Sequence, residues 1–334
     1  MSAIRLGTRA STLATTQSEM VAGLLRSEGL DVNLTTITTH GDTSTASLAA
    51  MGGIGVFASA IRATLLKGEA DIAVHSFKDL PTGRPLGLAI GAVPARADPR
   101  DALVARDGLT LHDLPQEASV GTGSPRRAAQ LLAVRPDLTI VDIRGNVDTR
   151  LGRVKGLGRY AKNGGKEDLD AVVLAASGLA RLGHSGAVTE FLDPSVVLPA
   201  PAQGALAVEC RTADSRHGKL AKALARIDDR RTRLAATAER AVLSHLEAGC
   251  AAPIGALAQL KPVSGSSPQV LTLDVVVATV DGSRIIREQV SVELPAEVEP
   301  ALAAAHTLGV TAAEELLDDG AADVADLKAS GSTR

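Results

Sequence analysis

The 334 residues carry 35 Lys and Arg against 38 Asp and Glu, a net charge of −3, which excludes a broadly basic, phosphate-tracking surface. One Tyr, three Phe and no Trp leave the cores to Ala, Val, Leu and Ile, and leave too few rings for a protein that reads nucleic acid by stacking on bases. No apolar run is long enough to span a bilayer, the first residues lack a signal-peptide core, and Cys210 and Cys250 have neither disulfide-framework nor metal-ligand spacing, so a cytoplasmic chain with reduced thiols and no metal is expected.

The length suits two or three domains. Residues 4–7 predict a strand, and Ser11 a cap for a helix reaching about residue 28, with Leu13, Val21, Leu24 and Leu25 on its apolar face. Residues 32–38 alternate as a strand does. Arg9 and Ser11 therefore fall at a strand-to-helix turn, whose exposed N–H groups suit an anion, although a surface arginine beside an ordinary cap has the same pattern. Residues 41–55 form a loop rich in Gly, Ser, Thr and Ala, of a length that is usually functional or mobile. A helix over 56–67 then leads into Asp71-Ile-Ala-Val-His-Ser-Phe-Lys-Asp-Leu-Pro81. This stretch starts as a buried strand and places Ser76, Lys78 and Asp79 in succession before Pro81 stops regular structure. Ligands of open α/β sheets bind beyond the carboxyl ends of strands, and continued alternation puts Ser76 and Lys78 on one side and Asp79 on the other. A strand closing in a solvated turn fits equally well, so the stretch alone decides nothing.

Residues 88–93 predict another buried strand, followed by an extended crossing through Asp98-Pro-Arg100. A second α/β unit begins with a strand over 102–105. Val120-Gly-Thr122-Gly-Ser124-Pro-Arg126-Arg127 repeats the strand, polar turn, helix layout, with Pro125 in the first helical turn and Ser124 as its cap. Two arginines in a first turn oppose the helix dipole, a placement that an anion would offset. The strand predicted over 138–143 ends in Arg144-Gly-Asn146-Val-Asp-Thr-Arg150, and that over 171–175 is followed by Gly178-Leu-Ala-Arg181, making Arg181 the fourth arginine-bearing strand-to-helix junction. A second Pro-rich crossing over 197–204, with Gln203 near its end, returns to a strand over 206–211 in which Cys210 reads as a small core residue. Two crossings between two α/β units imply that the chain leaves its first lobe and comes back, the plan of two-lobed anion-binding proteins.

A long helix over 229–247, strands over 254–260, 270–280 and 285–294, and a closing helix over 300–318 predict an α+β domain. The tail beyond Gly320 is expected to be mostly unordered. Cys250 follows the long helix among small residues, and on spacing alone it reads as a free thiol without a triad partner. His75 reads as a satisfied strand histidine.

Eight stretches then matter together: Gly7-Thr-Arg9-Ala-Ser11, Ala73-Val-His-Ser76-Phe-Lys78-Asp79-Leu-Pro81, Asp98-Pro-Arg100-Asp-Ala, Gly121-Thr-Gly-Ser-Pro-Arg126-Arg127, Arg144-Gly-Asn146-Val-Asp-Thr-Arg150, Gly178-Leu-Ala-Arg181-Leu-Gly, Gln203-Gly-Ala and Leu246-Glu-Ala-Gly-Cys250-Ala-Ala-Pro-Ile-Gly. In this order, over nearly the whole chain, they resemble the porphobilinogen deaminase (hydroxymethylbilane synthase) family of haem biosynthesis. The resemblance implies an α/β protein of three domains. Two are periplasmic-binding-protein-like lobes, the first discontinuous over 1–95 and 202–216 and the second over 96–201. An α+β domain over 217–320 and a flexible tail over 321–334 complete it.

It also implies a monomeric transferase whose dipyrromethane cofactor is held as a thioether by Cys250. Four porphobilinogen units are added with loss of ammonia, and the tetrapyrrole is released by hydrolysis. On this reading Asp79 is catalytic, stabilising the methylene-pyrrole cation left by ammonia and moving protons. Lys78, Ser76, Arg126, Arg127, Arg144, Ser124 and Asn146 bind the cofactor, and Arg9, Ser11, Arg150, Arg181, Thr122, Gln203 and Phe57 bind substrate. Acetate and propionate groups on each pyrrole explain so many arginines, because guanidinium forks take carboxylates bidentately. One departure stands out: where the family commonly has Gly-Lys-Gly-x-Phe-x-Lys-Glu, this chain has Gly53-Ile-Gly-Val-Phe57-Ala-Ser-Ala60, without either lysine. Ala248 likewise stands where a glycine is common before the Gly-Cys pair. The rival readings are a two-lobed anion sensor without catalysis and, more distantly, a nucleic-acid binder using Ser124-Pro-Arg-Arg.

Overall fold

The computed structural model describes residues 3–37, 56–83, 85–162, 164–247, 252–261 and 269–325. The first lobe is a five-stranded sheet of β1 (Ile4–Thr8), β2 (Val32–Thr36), β3 (Ile72–Ser76), β4 (Leu88–Ala92) and β10 (Leu206–Arg211), in the order β2-β1-β3-β10-β4. β1 runs parallel to β2 and β3, whereas β10 is antiparallel to both β3 and β4. Helices α1 (Thr12–Ser27) and α2 (Val56–Leu66) supply the connections. Ile72, Ala73 and Val74 are all buried, as a charge-free strand sandwiched between layers requires.

The second lobe repeats this plan with β5 (Asp101–Ala105), β6 (Ser119–Gly121), β7 (Thr139–Val141), β8 (Ala171–Ala175) and β9 (Glu190–Phe191), in the order β7-β6-β8-β5-β9. Here β5 is the strand antiparallel to its neighbours. In each lobe the reversed strand follows directly on a crossing, β5 after the chain leaves the first lobe and β10 after it returns. The helices α3 (Pro125–Val134), α4 (Val147–Leu151) and α5 (Ala176–Arg181) belong to this lobe, and α6 (Gly218–Ile227) packs back on β4 of the first. The expected discontinuous arrangement is therefore present in the strand order itself.

The third domain stacks α7 (Arg230–His245) and α8 (Val298–Asp318) on the antiparallel sheet of β11 (Ile254–Leu260), β12 (Gln269–Ala278) and β13 (Ile285–Leu294). Its core holds Leu234, Val242, Leu271, Leu273, Val275, Leu308 and Leu316 together with a run of alanines. Small residues demand close helices: a Cβ on Gly309 of α8 would come within 2.2 Å of the Ala238 carbonyl oxygen on α7.

Three expectations are corrected. Strand β3 stops at Ser76, and Phe77–Asp79 form a 3₁₀ turn, so alternation does not extend to Lys78 and Asp79. Arg181 is the last residue of α5 and sits at the wrong end of that helix to mark a strand-to-helix junction. Residues Ala321–Val324 form a further short helix, α9, whose Ala321 and Val324 are buried in the third core, so the flexible tail does not begin at 321. The 41–55 loop lies outside the described residues.

Candidate active site

Phe77 and Leu80 are buried and pin the two ends of the turn that follows β3, leaving Lys78 partly buried and Asp79 exposed between them. In a 3₁₀ turn, consecutive side chains rotate by a third of a revolution, so Lys78 and Asp79 leave one short arc of backbone as neighbours. Ser76 is tied to α1: Gln17 Nε2 donates to its Oγ at 3.0 Å, and the hydroxyl lies 3.2 Å from Gln17 Oε1. His75 points elsewhere, its Nε2 3.4 Å from the buried Glu209 carboxylate, which Arg62 also grips at 3.0 Å. His75 is thus a strand residue turned toward Glu209, but its buried Nε2 makes no hydrogen bond, so it is not the satisfied histidine expected.

Lys78 begins a polar chain that joins the two lobes. Its Nζ donates to Gln203 Oε1 at 3.2 Å. Gln203 is fully buried, and its Nε2 donates to the Pro99 carbonyl and to Asp101 Oδ1, both at 2.8 Å. Asp101, also fully buried, receives Arg127 Nη2 at 2.7 Å and faces Arg126 Nη2 at 2.8 Å. The two guanidiniums are fixed further by backbone, Arg126 Nη1 on Leu198 O at 2.6 Å and Arg127 Nη1 on Val173 O at 3.0 Å. The start of α3 supports them: Ser124 accepts the Arg127 N–H at 3.5 Å as its cap, and the buried Thr122 Oγ1 accepts from Ser124 N at 3.2 Å.

The anion that answers the paired arginines is thus internal. With Asp79 counted, two carboxylates stand against two guanidiniums and an ammonium, so the cluster keeps one positive charge in excess. The charges register this strain. Burial depresses the Lys78 pKa to about 8, and Arg127 and Arg126 push the same way against the opposing pull of Asp79 and Asp101. Asp101 is held well below the usual carboxylate range by Arg126 and Arg127, which outweigh the burial that opposes them. Burial lowers the pKa of Arg126, and that of Arg150 too, where Arg127 and Arg144 add repulsion. Arg144 is exposed, with Nη2 3.4 Å from Asp142, and Arg150 Nε donates to Gly145 O at 2.9 Å. Asn146 caps α4 by accepting from Thr149 N at 2.8 Å.

The remaining expected residues are more dispersed. Arg9 lies partly buried in the β1–α1 turn, where Ser11 caps α1 by accepting from Ala14 N at 3.4 Å. Arg181 Nη2 donates to Gly204 O at 2.7 Å, which sets its guanidinium on the crossing beside Gln203, and burial lowers its pKa. Cys210 is fully buried in the first core, and burial raises its thiol to about 11, as a structural cysteine requires. Cys250 and the Phe57 side chain lie outside the described residues. Asp101, Gln17 and Arg240 were not singled out from sequence. Asp101 had a signal, a carboxylate opening an otherwise apolar strand, whereas nothing in the local pattern marks Gln17 or Arg240.

Family models match both parts of the chain: residues 4–219 match "porphobilinogen deaminase, dipyromethane cofactor binding domain" and residues 233–318 match "porphobilinogen deaminase, C-terminal domain". The chain belongs to the porphobilinogen deaminase family. A porphobilinogen deaminase of Cutibacterium acnes is 98% identical over 334 residues, covering all of both chains. Those of Micrococcus luteus and of Leifsonia xyli subsp. xyli are 52% and 51% identical, covering 96% and 98% of this chain and 94% and 95% of their own. Among solved structures, apo YehZ from Escherichia coli overlaps loosely, with a TM-score of 0.40 at 14% identity over 68% of this chain and 86% of that one. As a porphobilinogen deaminase the chain is a transferase of tetrapyrrole synthesis with a dipyrromethane cofactor.

Proposed function

We propose that this chain condenses four porphobilinogen units head to tail onto a dipyrromethane held by Cys250, releases ammonia at each step and frees hydroxymethylbilane by hydrolysis. The observation that carries this reading is the exposed Asp79 beside a net-positive chain in which the partly buried Lys78 is linked through Gln203 and Asp101 to the buried Arg126 and Arg127. When bound, the cofactor supplies the pyrrole carbon to which substrate is joined. Arg126, Arg127, Arg144 and Lys78, with Ser76, Ser124 and Asn146, hold its carboxylates. Arg9, Ser11, Thr122, Arg150, Arg181, Gln203 and Phe57 serve the incoming substrate. Asp79 places a carboxylate where positive charge grows on the substrate as ammonia departs, and accepts the proton displaced at the new ring junction. The division into 1–95 with 202–216, 96–201 and 217–320, a cytoplasmic location and a monomeric state complete the proposal. Among the described residues no helix is long and apolar enough to cross a membrane.

Intact mass and turnover test this reading. The purified protein should carry an adduct of two pyrrole units that is absent from Cys250→Ser. Asp79→Asn should keep the adduct and lose roughly a hundredfold or more in kcat, the scale of a removed transition-state electrostatic partner. An unmodified mass without deaminase activity, or an Asp79→Asn variant with parental kcat, would overturn it.

A further inference from the structure

We propose that Arg240, on α7 of the third domain, is a positioning residue that holds the 77–81 turn in the shape that presents Lys78 and Asp79; the inference rests on the roles proposed for those two residues. Its Nη1 donates to the carbonyls of Phe77 at 3.0 Å and Leu80 at 2.8 Å, and its Nη2 donates to that of Pro81 at 2.7 Å. The guanidinium carbon also lies 4.5 Å from the centre of the Phe77 ring. Three carbonyls that flank Lys78 and Asp79 on both sides are thus gathered onto one planar, permanently charged fork.

The turn needs such a fixture. Its own backbone is one short 3₁₀ turn, Phe77–Asp79, closed by Leu80 N to Phe77 O at 3.3 Å. Pro81 has no N–H with which to continue. The same turn borders a cavity of about 710 Å³ lined by Phe77, Leu80, Pro81, Ile90, Arg240 and His306, so packing alone does not fix it from that side. A lysine at 240 would keep the charge but lose the fork and the stacking on Phe77. The contact also reaches across the molecule: Arg240 and the turn are about 160 residues apart in sequence and belong to different domains. The third domain thereby sets the geometry of the catalytic edge as well as carrying Cys250 beyond the end of the same helix.

The test uses the full chain carrying its cofactor, with loading verified by intact mass, in Arg240→Lys and Arg240→Gly. A displaced turn should lower kcat of Arg240→Lys about tenfold or more with KM changed less than about threefold, since sub-ångström to ångström misplacement costs turnover more than binding. Added ethylguanidinium should recover part of kcat in Arg240→Gly and none in Asp79→Asn. An active parent whose Arg240→Lys variant keeps parental kcat, or an Arg240→Gly loss that guanidinium leaves untouched, overturns the inference alone. A parent that makes no tetrapyrrole overturns the functional reading and this inference with it.

Discussion

Lys78 is half withdrawn from water, and two guanidiniums stand near it, so its ammonium loses its proton near pH 8, well below the 10.5 of a free lysine. At neutral pH it is still largely protonated and able to hold a pyrrole carboxylate, which stays ionised throughout this range. Raising the pH through about 8 removes that charge and loosens the cofactor carboxylate that Lys78 holds, so kcat/KM for porphobilinogen should fall by up to about tenfold per pH unit. Lys78→Arg cannot deprotonate and should flatten this limb, so the ratio of variant to parental kcat/KM should rise above pH 8 and stay level below about 7. A ratio that does not change between pH 7 and 9 would show that Lys78 holds no carboxylate. The position of this lysine was legible because a charge-free run, a polar triplet and a proline follow one another within eleven residues. Its neighbours were not. Gln203 and Asp101 lie 125 and 23 positions away, and only the meeting of the two lobes shows that they form one chain with it.

At the scale of elements, most strands and helices were legible from apolar period and caps: Ser11 and Ser124 each cap the helix that follows them, while the cap at Asn146 emerges only in the structure. The failures share a cause. The end of β3, the place of Arg181 on α5 and the helix Ala321–Val324 are decided by tertiary packing, to which local periodicity is blind. The turn between β12 and β13 is another such case. Gly282 has φ +72°, and a Cβ there would fall 2.4 Å from Ala129 O and 2.8 Å from Ala133 N on α3. Arg287 from the same hairpin reaches Gln130 Oε1 at 3.2 Å, and Gln130 in turn accepts from Leu198 N at 2.8 Å. The hairpin therefore seats the third domain against the helix that carries Arg126 and Arg127. Gly282→Ala adds a methyl group in a left-handed conformation and a backbone clash, and should cost about 1–3 kcal/mol in denaturant unfolding. A neutral substitution would mean that the hairpin does not bear on α3.

The whole molecule converges on Glu239 of α7, which is fully buried. Its carboxylate receives both Arg96 Nη atoms at 2.6 and 3.0 Å, the Ala202 N–H at 2.5 Å and the Ala258 N–H at 2.9 Å. Arg96 belongs to the outgoing crossing, Ala202 to the returning one and Ala258 to β11, so one side chain joins both crossings to the third domain. Ala202 adopts φ +60°, and a Cβ on Gly204 would fall 2.6 Å from Ala97 O, which shows how tightly the two crossings are laid together there. Replacing Glu239 by Gln keeps the shape but leaves Arg96, whose side chain is only 11% exposed, without its counter-charge, at a cost of about 3–5 kcal/mol. The exposed pair Arg226–Glu28, at 2.8 Å, offers the control, and Glu28→Gln should cost no more than about 1 kcal/mol. An ordinary buried ion pair is often replaceable by an apolar pair at little cost, because the desolvation of both charges is recovered. Glu239 should not behave so, because Glu239→Leu with Arg96→Met would still strand the Ala202 and Ala258 N–H groups, each worth about 1–3 kcal/mol when buried unmet. Equilibrium unfolding of the double variant should therefore stay several kcal/mol below the parent, and a double variant of parental stability would reduce Glu239 to a simple partner of Arg96.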